Sequence, residues 1–172
     1  MDHRINVPHQ AFLPQDAEDL AAQDPYHRYE LSAHGILNIG PLPEDHERDI
    51  CERIAAWLSR VYSPELISFD RRVQTNWAEG SRKPDMTYSA PDGVTLVVEV
   101  VSYHTQFVDQ VEKRTEYATS GIPHYWLIWP DDNSDWCVTE YHLHDGRYRE
   151  VNPMRVTLDE FLSTPVPTFD KR

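Results

Sequence analysis

The apolar run Val94-Thr95-Leu96-Val97-Val98-Glu99-Val100-Val101 is broken by one carboxylate, and Lys83-Pro84-Asp85 supplies another just upstream. Such a run reads as a central strand covered on both faces. A carboxylate inside it is costly to bury unless it is protonated, paired or bound to a metal. Glu99 alone is either that buried group or a strand-end residue reaching solvent or a salt bridge. Asp85 narrows the choice. Pro91-Asp92-Gly93 is turn chemistry, because Pro presets φ, Asp can bond the backbone and Gly accepts a left-handed conformation. A three-residue loop with Gly93 in the bulge position sets Asp85 directly opposite Glu99, with Cβ atoms roughly 4.5–5.5 Å apart. Two ionised carboxylates that close repel each other. A hard divalent cation resolves the conflict, and Mg²⁺ suits carboxylate oxygens plus water, with Mn²⁺ as a substitute. A slip of one residue would put the two on opposite faces.

The next helical stretch, FVDQVEKRTEYATSG, carries Asp109, Lys113 and Tyr117 at i, i+4 and i+8 on one stripe. An Asp–Lys pair at that spacing can be an ordinary solvated pair. Beside an acidic strand, the lysine can instead face the metal, where it would orient or help deprotonate a water, or steady a phosphate's charge. Other candidates carry less. His142 and His144 share one strand face, but two histidines without a third ligand read as surface residues. Trp126, Trp129, Trp136, Tyr125 and Tyr141 could stack bases, yet at strand spacing they read as core. Cys51 and Cys137 fit no zinc or redox spacing and read as small buried apolar residues.

These residues need a scaffold. HRYELSAHGILNIG reads as two short strands broken near Ala33-His34-Gly35. In PLPEDHERDICERIAAWLSRVY, Ile50, Ile54, Trp57, Leu58 and Val61 fall on one helix face, with Glu44, Asp45 and Glu47 in the first turn and Pro64 as the stop. Residues 65–77 give one or two strands, followed by the hairpin around Pro91-Asp92-Gly93. Gly121 closes the second helix. IPHYWLIWP, DWCVTEYHLH and GRYREV are strands, the last two joined at Asp145-Gly146. TLDEFL is a short closing helix. The order predicts a mixed α/β fold, one mixed sheet flanked by helices. Residues 1–25 read as an N-terminal arm with a helical turn or two opened by Pro14, and 26–172 as a single domain.

With 172 residues, 16 Lys+Arg and 29 Asp+Glu, the net charge is −13. That excludes a generally basic nucleic-acid binder, since non-specific affinity comes from neutralising phosphates. The useful basic residues are Arg71, Arg72, Arg82 and Lys83 near the hairpin and Lys113 and Arg114 on the helix. They form either a rim around an acidic pocket or a scattered solvated face. The first twenty residues hold no apolar signal region, and no apolar run approaches the roughly 18 residues of a membrane span. A cytoplasmic protein without membrane contact is expected.

The motifs RYEL (Arg28–Leu31), the His46 region, KPD (Lys83–Asp85), LVVEVVS (Leu96–Ser102), Thr105, Asp109, Glu112-Lys113, Tyr117 and GIPHYWLIWP together resemble the Uma-type restriction-endonuclease-like family of the PD-(D/E)XK nuclease superfamily. The resemblance spans about residues 26–165. It implies a restriction-endonuclease-like fold and Mg²⁺-dependent hydrolysis of DNA phosphodiesters by an activated water. It assigns Asp85 and Glu99 as metal ligands, Lys113 as the catalytic lysine and Glu30 as an additional acid. His46, Asp109, Tyr117 and Arg82 would bind substrate or support the site. Two departures stand out. Val101 occupies the position where many superfamily members keep lysine, and Ser102-Tyr103-His104-Thr105 lacks the family's proline. A homodimer could supply missing phosphate contacts. The competing reading is a catalytically inactive nuclease-fold module working with a DNA-associated partner, which the acidic charge and altered loop favour and the intact acid–lysine set opposes.

Overall fold

The computed structural model describes residues 12–75, 80–101, 108–133, 135–151 and 154–169, with backbone alone at 108–110. Helix α1 (Pro14–Gln23) is opened by its proline and runs ten residues, longer than the turn or two expected. It packs the fully buried Ala17 onto β1 (His27–Leu31) and β2 (Leu37–Pro41), whose Tyr29, Leu31 and Leu37 complete a small core. Helix α2 (Asp45–Leu58) begins with a capping box between Glu44 and Glu47 and buries Ile50, Ile54, Trp57 and Leu58, as the periodicity predicts. It ends well before Pro64. The chain turns at Ser59, Tyr62 packs against Tyr88 and stacks on Phe169, and Val61, expected on the buried face, is exposed.

A 3₁₀ turn leads to β3 (Ile67–Phe69), β4 (Val73–Gln74), β5 (Ser81–Arg82), β6 (Met86–Ala90) and β7 (Gly93–Val100). The β6–β7 loop differs from the expected one. Ala90 pairs with Gly93 across two residues, and a bulge at Tyr88/Ser89 then restores the anticipated register, with Met86 opposite Val98. Two deviations therefore cancel at the end of the hairpin that matters. A π-helical turn (Val108–Lys113) runs into α3 (Arg114–Thr119), closed by Gly121 at φ +75°. Next come β8 (His124–Pro130), β9 (Trp136–His144), β10 (Arg147–Glu150), β11 (Val156–Thr157) and α4 (Leu158–Leu162). The β9–β10 turn holds Asp145 and Gly146 at positive φ, the geometry that favours this pair of residues.

The central sheet has the order β10-β9-β8-β7-β6-β3, with β11 on β9, and is mixed because β7 and β8 run parallel. The helical segment between them is the crossover that a parallel pair requires. A second antiparallel sheet, β2-β1-β5-β4, corrects the expectation of a single sheet. The two-residue strands β4 and β5 are too short to show alternation, and β5 pairs with β1 only through Leu31 and Ser81. On one face of the central sheet Leu96, Val98, Val100, Trp126 and Ile128 meet Trp57, Leu58 and Phe161 of α2 and α4. On the other, Val97, Val101, Tyr125 and Leu127 meet Tyr117 and Ile122, with Val73 of β4. The aromatic residues of β8 and the two free, buried cysteines are packing residues, as read. Among the described residues no helix is long and apolar enough to cross a membrane.

Candidate active site

Alternation along β7 puts Glu99 in the row of Val97 and Val101, facing α3, and leaves it 1% exposed. Two residues one helical turn apart converge on it. The Tyr117 hydroxyl donates to Oε1 at 2.7 Å and the Lys113 ammonium to Oε2 at 3.1 Å. Burial, with Glu99 adding to it, pushes the Tyr117 phenol well above its usual range, so it stays a donor. Lys113 Nζ is also 3.5 Å from Oε2 of Glu30, which β1 delivers from the second sheet. Oε1 of Glu30 accepts the Lys83 backbone N–H at 2.7 Å. Burial opposes ionisation of Glu30, but Lys113, Arg82 and Arg28 outweigh it and hold the carboxyl below its usual value. Arg82, fully buried on β5, is forked onto Glu116 of α3 at 2.6 and 2.7 Å, with its third nitrogen 3.8 Å from Glu30. Glu116 also accepts the Ala33 N–H, tying α3 to the β1–β2 turn.

Asp85 lies between β5 and β6, immediately before Met86. Its Oδ2 accepts the Val100 N–H at 2.8 Å, so a side chain replaces a backbone rung of the ladder. Its Oδ1 accepts from Arg28 Nη1 at 2.8 Å, and Arg28 Nη2 donates to Asp70 Oδ1 at the same distance. Burial works against the Arg28 charge, but Asp85, Glu30 and Glu99 more than reverse it and its pKa is raised. Beside Asp85 opens a pocket of about 200 Å³, lined also by Glu47, Arg48, Cys51, Glu52, Phe69, Asp70 and Pro43. Glu47 is buried there, and that burial raises its pKa.

Residues 14–168 match the model of the Uma2 family, described as "Putative restriction endonuclease". The chain belongs to this family. A solved structure described as a putative nuclease belonging to DUF820, from Anabaena variabilis, shares the fold at a TM-score of 0.58 and 14% identity, covering 79% of this chain and 90% of that one. No curated protein matches the chain.

In this Uma2-family protein Glu30, Glu99, Lys113, Tyr117 and Arg82 form one connected cluster, which Arg28 links to Asp85. The β6–β7 ladder ends at Met86 opposite Val98, one residue short of Asp85 and Glu99, and each carboxylate has its own partners. His46 lies apart, half-exposed beside Glu44 and against the Trp136 ring, and its neighbour Glu47 is the residue that lines the pocket. The Asp109 side chain and the Ser102–Thr105 loop lie outside the described residues. Of the two arrangements open to the basic residues, a rim around the pocket does not form among the described residues. Arg82 and Lys113 are buried, Arg72 is 3.7 Å from Glu18, Lys83 is 3.9 Å from Asp70 and Arg114 lies over Tyr141. His142 packs edge-on against His124 as a sheet residue. Sequence reasoning missed Arg28, Asp70, Glu47 and Glu116. Arg28 shares a strand face with Glu30 by alternation, and Glu112 and Glu116 both reach Arg82 from one helix stripe, so those spacings were the available signals.

The donors suit a hard divalent cation. Asp85 and Glu99 offer carboxylate oxygens, the hard donors that such an ion takes. The buried acids Glu30, Asp85, Glu99 and Glu116 outnumber the cations Arg28, Arg82 and Lys113. No group of three metal-ligating side chains converges among the described residues. Mg²⁺ is commonly held by one or two carboxylates with water and substrate phosphate, so two acids fit it.

Proposed function

We propose that this Uma2-family protein is a metal-dependent DNA endonuclease that hydrolyses phosphodiester bonds with a water attacking in line. The observation that carries the reading is the nearly solvent-free Glu99, gripped by Lys113 and Tyr117, on a strand whose Val100 N–H is bound by Asp85. Asp85 and Glu99 would hold Mg²⁺ or Mn²⁺, which when bound polarises the phosphate and acidifies its water. Lys113 orients that water or stabilises the charge that develops on the phosphate. Glu30 fixes the lysine and holds it near Glu99. Tyr117 keeps Glu99 aimed. Arg82 positions Glu30 and Glu116 from below and touches no substrate. With a net charge of −13, phosphate contacts beyond the site would come from a second copy.

Plasmid nicking in Mg²⁺ and in Mn²⁺ tests this. Wild type cleaves only with metal, and Lys113→Ala and Asp85→Asn each lose at least about 100-fold. The inactive-module reading draws on the acidic charge and on the hydrogen bonds already made by Asp85. It predicts no cleavage and no change of melting temperature with either metal, and that pair of results would displace the enzyme reading.

A further inference from the structure

Arg28 is a cation of the cluster to which the proposed reaction gives no role. Its guanidinium spans two carboxylates at 2.8 Å each, Asp85 Oδ1 and Asp70 Oδ1. The side chain is 12% exposed, and its third donor, Nε, is buried with no hydrogen-bond partner among the described residues. The two anchors differ. Asp85 is buried and also braced by the Val100 N–H, whereas Asp70 is 39% exposed and sits at φ +52°, on the lip of the pocket. A planar fork is suited to bridging two such acids, and it can hold one when it loses the other.

A guanidinium and a metal ion compete for the same lone pairs. Oδ2 of Asp85 is directed at backbone, so Oδ1 is the oxygen turned toward a ligand, and Arg28 already occupies it. A divalent ion arriving there would meet a unit charge at contact distance in a poorly solvated site, where repulsion is strong. One of the two must yield, and the arginine has a second carboxylate to stay on.

We infer that Arg28 is the resident counter-cation of Asp85, displaced from Oδ1 when metal loads and retained by Asp70, so that this arginine sets the affinity of the site for metal. The inference rests on the reading that Asp85 and Glu99 hold the ion. Between turnovers Arg28 keeps a buried acid paired and aimed. It is a positioning residue, not a ligand.

Calorimetric titration of the full chain with Mn²⁺ provides the test, in wild type, Arg28→Gln, Arg28→Lys and Arg48→Gln. Arg28→Gln tightens Mn²⁺ binding by about tenfold, the scale on which partners of metal ligands act. Arg48→Gln removes the same charge from the same pocket without a bond to Asp85, and changes affinity by less than about twofold. Arg28→Lys falls between, because one ammonium cannot span both acids. Should Arg28→Gln not fold, Arg28→Lys decides, and it must bind more tightly than wild type. Equal tightening by Arg28→Gln and Arg48→Gln reduces the effect to general charge and overturns the inference. So does unchanged or weaker binding by Arg28→Gln. A purely structural arginine would lower the melting temperature without tightening Mn²⁺. Equal binding by all four chains defeats this inference alone; binding by none defeats the metal site as well.

Discussion

The two faces of β7 bury similar amounts of strand by different means. Toward α2 and α4, Leu96, Val98 and Val100 enter a wholly apolar core with Trp57, Trp126 and Phe161. Toward α3, Glu99 replaces the middle member of a Val97–Glu99–Val101 row and draws in Lys113, Tyr117, Glu30, Arg82 and Glu116. The apolar face is held by contact area, which is non-directional and tolerates loss in small steps. The charged face is held by named partners, and each ion is tolerable only while its partner remains. The sheet is forgiving on one side and exacting on the other.

The sharpest way to break this contrast is Arg82→Met. It strands Glu116 without its fork and is expected to cost about 3–5 kcal/mol in urea unfolding. Adding Glu116→Leu should recover most of that loss, since replacing a whole buried pair is often neutral. If the double variant is no better than the single, specific pairing is not what holds this face. Glu30→Gln comes next, at about 2–3 kcal/mol near neutral pH. The native carboxyl is held below its usual 4.5, so its stabilisation is present above that value and lost as pH falls through the lower native one. The gap between wild type and variant should therefore narrow as pH falls below 4.5 and close as it passes the lower native value. A pH-independent gap would assign the loss to shape and not to charge. Tyr117→Phe removes one donor to Glu99 and should cost about 1–2 kcal/mol. On the apolar face Ile54→Val should cost only about 0.5–1.5 kcal/mol and leave nicking at the wild-type rate. A rate change there would show the two faces to be coupled.

What the sequence discloses follows the same division. The apolar face was legible, because Ile50, Ile54, Trp57 and Leu58 announce themselves by helical period and β7 by its uninterrupted apolar run. Glu99 was legible as the interruption, and Lys113 and Tyr117 by their one-turn spacing toward it. The burial of Arg82 was not legible, because nothing local tells a buried arginine from one on a rim or a solvated face. Its partner Glu116 lies 34 positions away and meets it only once the second sheet forms. Arg28 and Asp85, 57 positions apart, are hidden for the same reason. The hairpin register was right at Met86–Val98 although its loop was not, since the bulge at Tyr88/Ser89 offset the shorter turn. Val61 kept the helical period after the helix had already ended at Leu58.

The hydrogen bond from Val100 to Asp85 has a further consequence. One carboxylate both terminates a strand pairing and faces the pocket, so architecture and chemistry share an atom group. Position 85 is therefore a poor place for a silent knockout, because truncating it unzips a rung as it empties the site.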